Sequence, residues 1–493
     1  MASLPSLCVD SAITVVSGPV NQQPDHLLEQ RAVAKLDITV LPMVTLFFLL
    51  SFMDRGNIGN ARIAGFQHDL NLTDYQYQIC VFVLYLPYML SELPSNLILR
   101  KIGAQIMFPS LVTMWGAVLI AQGFVSSYTG LIVIRLILGA LEGPIFPGVI
   151  LYLSGFYTRQ ELSFRLAVFI SAASISGAFS GLLAAALVNL DGIGGRPGWA
   201  WIFIVEGLIT VLIGLIGFYM VPRTPADARF LSPSEKEAII KRLERFKPHS
   251  KYEGNFTIKQ VLLPFTSPHI ILVFIIAFMF GSINIAIANF LPSIVKQLGY
   301  PSTKSQLLTV GPYVVTFIVT FIISYLSDRH NIRSVPIMTT SAITVVGHAL
   351  YLVSHNRHLS YASLFFIVSG SYSTGPVLSS WLANNCEPHY KRASSIALGN
   401  MFASSGAILG IWRFPTKEGP RFTKTTIMDL CFVSSAILLS VINALYLADQ
   451  NSKKKQRRQE LLAPYIESEK GGVDEGRAWD ELGDRHPDFV YVL

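Results

Sequence analysis

Long apolar runs alternate with short polar stretches along most of the chain, in two successive sets of six. Runs long enough to cross a hydrocarbon layer of roughly 30 Å fall near residues 38–58, 76–98, 106–126, 131–155, 165–189 and 200–221, then near 268–291, 306–326, 335–354, 361–384, 394–413 and 427–447. A polar stretch, 222–267, separates the sets and contains SPSEKEAIIKRLERF, which opens like a capped helix. The pattern predicts an all-α membrane protein. Its twelve transmembrane helices form two pseudo-symmetric six-helix bundles, 38–221 and 268–447, the layout of transporters built from repeated halves. Residues 1–37 read as a polar lead-in whose last part, HLLEQRAVAKLD, is suited to lying on the membrane surface. The tail, 448–493, turns polar and acidic and reads as disordered.

Charge orients this layout. The chain of 493 residues is 51% hydrophobic and 14% charged, with a net charge of +7. That sign would suit nucleic acid, but the basic residues flank apolar runs, as the positive-inside bias places them. An even number of spans puts both termini on one side. The basic linker and the run Lys453, Lys454, Lys455, Arg457 and Arg458 make that side the cytosol. Asp10 and Pro19 interrupt any leader-like apolar run, so no cleaved signal peptide is expected. Of two N-x-[ST] sites, Asn71 then lies in the first exterior loop and Asn255 in the cytosolic linker, so only Asn71 can be glycosylated. The exterior loop with Arg413, Lys417, Arg421 and Lys424 runs against the bias. Four scattered cysteines give neither a metal site nor a disulfide framework.

Charges inside apolar runs are the candidates for chemistry, because a charge near mid-bilayer costs at least about 2.5–3.5 kcal/mol. Arg135 and Glu142 sit seven residues apart in the fourth run, on one helix face. They make either a packing ion pair or a proton-carrying acid beside a cation. Asp54 and Arg55 adjoin in the first run, followed by Asn57, Asn60 and Arg62. One reading is snorkelling at the interface. In the other, Arg55 grips a carboxylate bidentately while Asp54 exchanges a proton. Glu206, near one end of the sixth run, reads as structural. Asn284, Asn289, Trp381 and Asn384 offer hydrogen bonds at depth in the second half, either to a ligand or between helices.

At the cytosolic loops, acids or amides at helix ends are followed by basic residues: Glu92 with Arg100, Glu161 with Arg165, and Asp328 with Arg329 and Arg333. Such groups can latch one conformation closed. No phosphate-binding loop, metal motif or nucleophile elbow occurs, so neither a cofactor, ATP drive nor an enzyme is expected.

The strings DRGNIGNAR, SELPSNLILRKIG, RLILGALEGPIFPGVILYLSGFYTRQELSFR and GWAWIFIVEGLIT, followed by VPRTPADARFLSPSEKE, resemble the fungal allantoate-permease-like branch of the anion:cation symporters, within the major facilitator superfamily. The likeness covers roughly residues 38–450. It implies alternating access and uptake of a small organic anion with protons, by a monomer in the plasma membrane. It also implies proton coupling and anion binding at Asp54, Arg55, Arg135 and Glu142. Asn96 stands where many members have an acid, which leaves the latch there to Glu92 and the basic pair. Two other functions fit the same residues: export of an acidic fungal metabolite, and nutrient sensing without transport.

Overall fold

The computed structural model describes residues 22–245, 262–387, 389–413, 422–465 and 475–493. Ten of its helices are long and apolar enough to cross a membrane. Two more, Asp74–Ile102 and Arg357–Asn384, carry more polar residues and complete two sets of six as the second and tenth spans. The first span belongs to a helix of 42 residues, Gln22–Ile63. The surface-lying segment expected before it is instead the start of that helix. Its Lys35 and Glu29 pair with Glu235 and Arg242 beyond the sixth span, and these partners hold the helix straight past the bilayer.

Pseudo-symmetry is visible in the packing. In the first half the first span packs on the fifth, the second on the fourth and the third on the sixth; in the second half the seventh packs on the eleventh, the eighth on the tenth and the ninth on the twelfth. The fourth span is two helices, Tyr128–Glu142 and Ile145–Leu153, interrupted where Pro144 lacks an amide hydrogen. Gly139 and Gly143 let it press on the second span, since a Cβ at either would collide with the carbonyl of Leu84 or Tyr88. That close approach lodges Glu142 inside the bundle, fully buried.

The linker begins as an ordered piece of the first half. Helix Pro233–Arg245 is capped as its sequence predicts, with the Ser232 amide donating to Glu235 at 2.8 Å. Lys35 lies 2.7 Å from Glu235 and holds that carboxyl below the ordinary carboxylate range. Arg242 bonds Glu161, and Arg165 grips Asp37 of the first span with two hydrogen bonds of 2.8 and 2.6 Å. The side chains of the expected Glu161–Arg165 latch therefore take two other partners, and Arg165 meets Glu161 only at its carbonyl, to which it donates at 2.9 Å.

The two halves meet mainly at the end of the molecule opposite the linker, here the far end. There the first span packs on the seventh and the fifth on the eighth. Lys296 donates to the Ile63 carbonyl at 3.0 Å, and Trp412 sits 5.5 Å from Tyr75 and 6.0 Å from Phe82, ring centre to ring centre. The far mouth is closed.

The tail corrects the sequence reading. The segment Gly483–Leu493, which follows helix Glu475–Leu482 and opens with a 3-10 turn, docks on the linker end of the second half. Polar composition pointed to disorder, but the polar groups of this segment find buried partners on the spans.

Candidate functional site

Arg55 is at the centre of the charged core. Its Nε donates to Glu142 Oε2 at 3.2 Å and its Nη2 to Ser51 Oγ at 2.7 Å, while Ser51 Oγ lies 3.2 Å from the same carboxylate oxygen. The guanidinium also lies 4.6 Å from the Tyr88 ring centre and 4.7 Å from that of Phe52. Arg55 is only 6% exposed, which removes the snorkelling reading. The expected pairing of Glu142 with Arg135 is replaced by this one. Seven residues along one helix are about 10 Å, so a shared face does not bring the two charges into contact. Arg135 is buried instead with its Nε and Nη2 unpartnered.

Asp54 does not pair with its neighbour Arg55. It faces Glu206 and Trp115 of the sixth and third spans, and no oxygen of either carboxyl has a hydrogen-bond partner. Two ionised carboxylates can only accept. A hydrogen bond between them requires that one carries a proton.

A small cavity lies between the halves, walled by Phe52, Asn60 and Ser180 on one side and by Thr309, Tyr313 and Tyr372 on the other. On its wall Asn60 donates to Ser180 at 2.8 Å, and Ser180 donates in turn to the fully buried Asn57 at 2.6 Å. Phe52 separates the cavity from Arg55, and Tyr372 is among the electrostatic neighbours of Arg55.

The other expected site residues are placed as follows. Asn284 donates to the Ser371 carbonyl across the seventh and tenth spans, and Asn289 to its own helix at Ile285. Trp381 and Asn384 are at the linker end of the tenth span, where Trp381 donates to the carbonyl of Val492, so neither faces the cavity. Glu92 accepts from Asn400 Nδ2 at 2.8 Å, a bond between the halves, and the side chain of Arg100 lies outside the described residues. Arg333 pairs with Asp328 at 2.5 Å and Arg329 is exposed. Asn71 is exposed, at a far-end turn with φ 50°.

Sequence reasoning missed Ser51, Tyr88 and Asn400, none of which carries a charge to mark it. It also placed Arg413 in a loop. Arg413 is buried, 2.5 Å from Asp429 and 2.7 Å from Ser282, with His348 Nε2 3.6 Å from the same aspartate. Lys417 and Arg421 lie outside the described residues.

Comparison with known proteins decides the family, because the Major Facilitator Superfamily model matches residues 44–411. The chain belongs to the major facilitator superfamily. This major facilitator protein is 31% identical to the high-affinity nicotinic acid transporter of Saccharomyces cerevisiae, over 95% of the chain and 86% of that protein. It is also 31% identical to the major facilitator-type transporter hxnP of Emericella nidulans, over 92% of each. In fold it matches the D-xylose-proton symporter with a TM-score of 0.63 at 15% identity, covering 82% of this chain and 96% of that one. It is thus a multi-span membrane transporter for a small molecule, and its family are transporters, not enzymes.

Proposed function

We propose that this major facilitator protein, of the allantoate-permease-like branch, carries a small organic anion into the cell together with protons, as a monomer in the plasma membrane. The observation that carries the reading is the buried Arg55–Glu142 pair beneath the cavity. An arriving carboxylate competes with Glu142 for the guanidinium, which can bind either in the same charge-assisted way. A displaced Glu142 would be an unpaired charge in an apolar bundle, which is costly, so it takes a proton as the substrate arrives. Asp54 and Glu206 form a second proton-holding site, with Arg135 as the nearby unpaired cation. The aromatic side chains Phe52, Tyr313 and Tyr372 on the cavity wall suit a flat monocarboxylate, and the named substrate of the yeast relative, nicotinic acid, is one. Nicotinate is accordingly the probe of choice.

The experiment is uptake of labelled nicotinate into vesicles containing the purified protein, driven by a pH gradient. Arg55→Lys keeps the charge but loses the planar fork, so nicotinate affinity should fall by about 1–3 kcal/mol per site, the range for charge-assisted bonds. An unchanged affinity, at matched protein abundance, would remove Arg55 from the binding site.

In this reading the basic linker end faces the cytosol and the closed far mouth faces outward. Asn71 then carries a glycan. Endoglycosidase should shift the mobility of the parent and not of Asn71→Gln; a shift that depends on Asn255 instead would invert the orientation.

A further inference from the structure

The segment Gly483–Leu493 is held at the linker end of the second half chiefly through its own main chain. Asn385 accepts from the Val492 amide at 2.8 Å and donates to its carbonyl at 2.9 Å, to which Trp381 also donates at 2.9 Å. Asn451 does the same for Tyr491, at 2.9 Å both ways. The amides of Arg333 and Ser334 donate to the main-chain oxygen of Leu493 at 2.5 and 3.2 Å. Two charged contacts fix the register: buried Asp484 lies 2.7 Å from Lys391, which also bonds Ser267 at 2.7 Å, and Asp488 pairs with Arg458 nearer the surface. Lys454 caps the carbonyls of Asp484 and Phe489, at 2.7 and 2.8 Å, with its ammonium 3.6 Å from the Tyr491 ring centre. Side chains that bracket the main chain of single residues are how peptide-binding grooves recognise a ligand whose backbone would otherwise be unsatisfied.

We propose that the linker-end face of the second half is a peptide-binding groove whose ligand is this chain's own segment Gly483–Leu493, docked reversibly. The groove is built from the ends of the ninth span (Arg333, Ser334), the tenth (Trp381, Asn385), the eleventh (Lys391) and the twelfth (Asn451, Lys454), with Ser267 at the start of the seventh. An occupied groove therefore fastens five spans together at one end. The eleventh is the span that carries Asn400, the partner of Glu92 in the other half. Docking thus sets whether the second half moves as a single block. Beside the packing of Phe489 and Tyr491, the contacts are hydrogen bonds and ion pairs, which bonds to water can replace when the segment leaves. The proposal does not depend on which substrate the carrier takes.

The test lets the full chain fold with its segment in place. A protease site is inserted within residues 466–474, the purified protein is cleaved in lipid nanodiscs, and a fluorescent synthetic peptide of residues 475–493 is added. The expected result is that the cleaved segment exchanges with the labelled peptide, and that the peptide raises the melting temperature of washed protein. The same peptide with Asp484→Ala should bind at least about tenfold more weakly, as loss of one partner of a buried pair dictates. Uncleaved protein, its groove filled in cis, should bind little peptide. A segment that stays bound without exchange would make it a fixed part of the fold. Equal binding of the Asp484→Ala peptide, or equal binding by uncleaved protein, would remove the groove. Each of these results overturns the proposal.

Discussion

With Glu142→Gln, vesicles should still exchange labelled for unlabelled nicotinate across the membrane but should no longer accumulate it against a gradient. Glutamine keeps an oxygen for the Arg55 and Ser51 hydrogen bonds, so the core retains its geometry. It cannot take up or release a proton, and a gradient does work only through a group that changes protonation within the cycle. For one proton, a gradient of about 2 pH units is worth about 2.7 kcal/mol, or roughly hundredfold accumulation. The variant should fall to about onefold while exchange persists. Asp54→Asn should behave alike if the two acids act in series. Were Glu142 only a packing partner, breaking its pair would cost on the order of 3–5 kcal/mol and lower exchange, accumulation and folded protein together. Accumulation that survives in Glu142→Gln would pass the coupling role to Asp54 and Glu206.

Gly181→Leu should reverse the side from which the cavity is open. A Cβ at Gly181 in the fifth span would lie 2.7 Å from Thr309 Oγ1 and 2.8 Å from the Gln306 carbonyl in the eighth, closer than real Cβ contacts. The rest of a leucine has nowhere to go while the far mouth is shut. Overpacking typically costs about 1–3 kcal/mol, and here the cost falls only on the far-closed state, so the open one gains about 5–150-fold in relative population. Net transport should collapse. A cysteine replacing Ser176, on the cavity wall, should react with a membrane-impermeant reagent from the linker side in the parent and from the far side in the variant. Unchanged sidedness with normal transport would show that these two spans can part elsewhere.

The spans were legible because each must hide a long row of apolar side chains, and that row is written locally. Their ends were less so: the first helix runs on for many residues because Lys35 and Glu29 find partners on the linker helix, a contact between segments some 200 residues apart. The charged core was legible as a set of residues and not as a set of pairs. Asp54, Arg55, Arg135 and Glu142 are conspicuous because charges in apolar runs are costly, but the bond from Arg55 to Glu142 joins helices separated by 87 positions, and no periodicity along one helix reports it. Glu206 looked structural because its facing group, Asp54, lies in another helix. Trp381 looked like a ligand contact because an indole at depth usually is one or is packing. Its partner is a segment that composition had marked as disordered.

The ion pairs between the linker helix and the first half have a further consequence. The chain leaving the sixth span is folded back and fastened through Glu235 and Arg242 to Lys35, Glu29 and Glu161, near where the first span begins and the fifth starts. The first half thus has its own entry and exit stapled together and is structurally complete by Arg245. Among the described residues beyond that point, the halves hold each other through helix faces at the far end, through hydrogen bonds there from Lys296 to Ile63 and from Gln306 to Asn60, and through the bond of Asn400 to Glu92 nearer the linker end. A covalent connection also joins the two halves. Its effect is on their effective concentration, which makes a meeting of two separately folded units an intramolecular event.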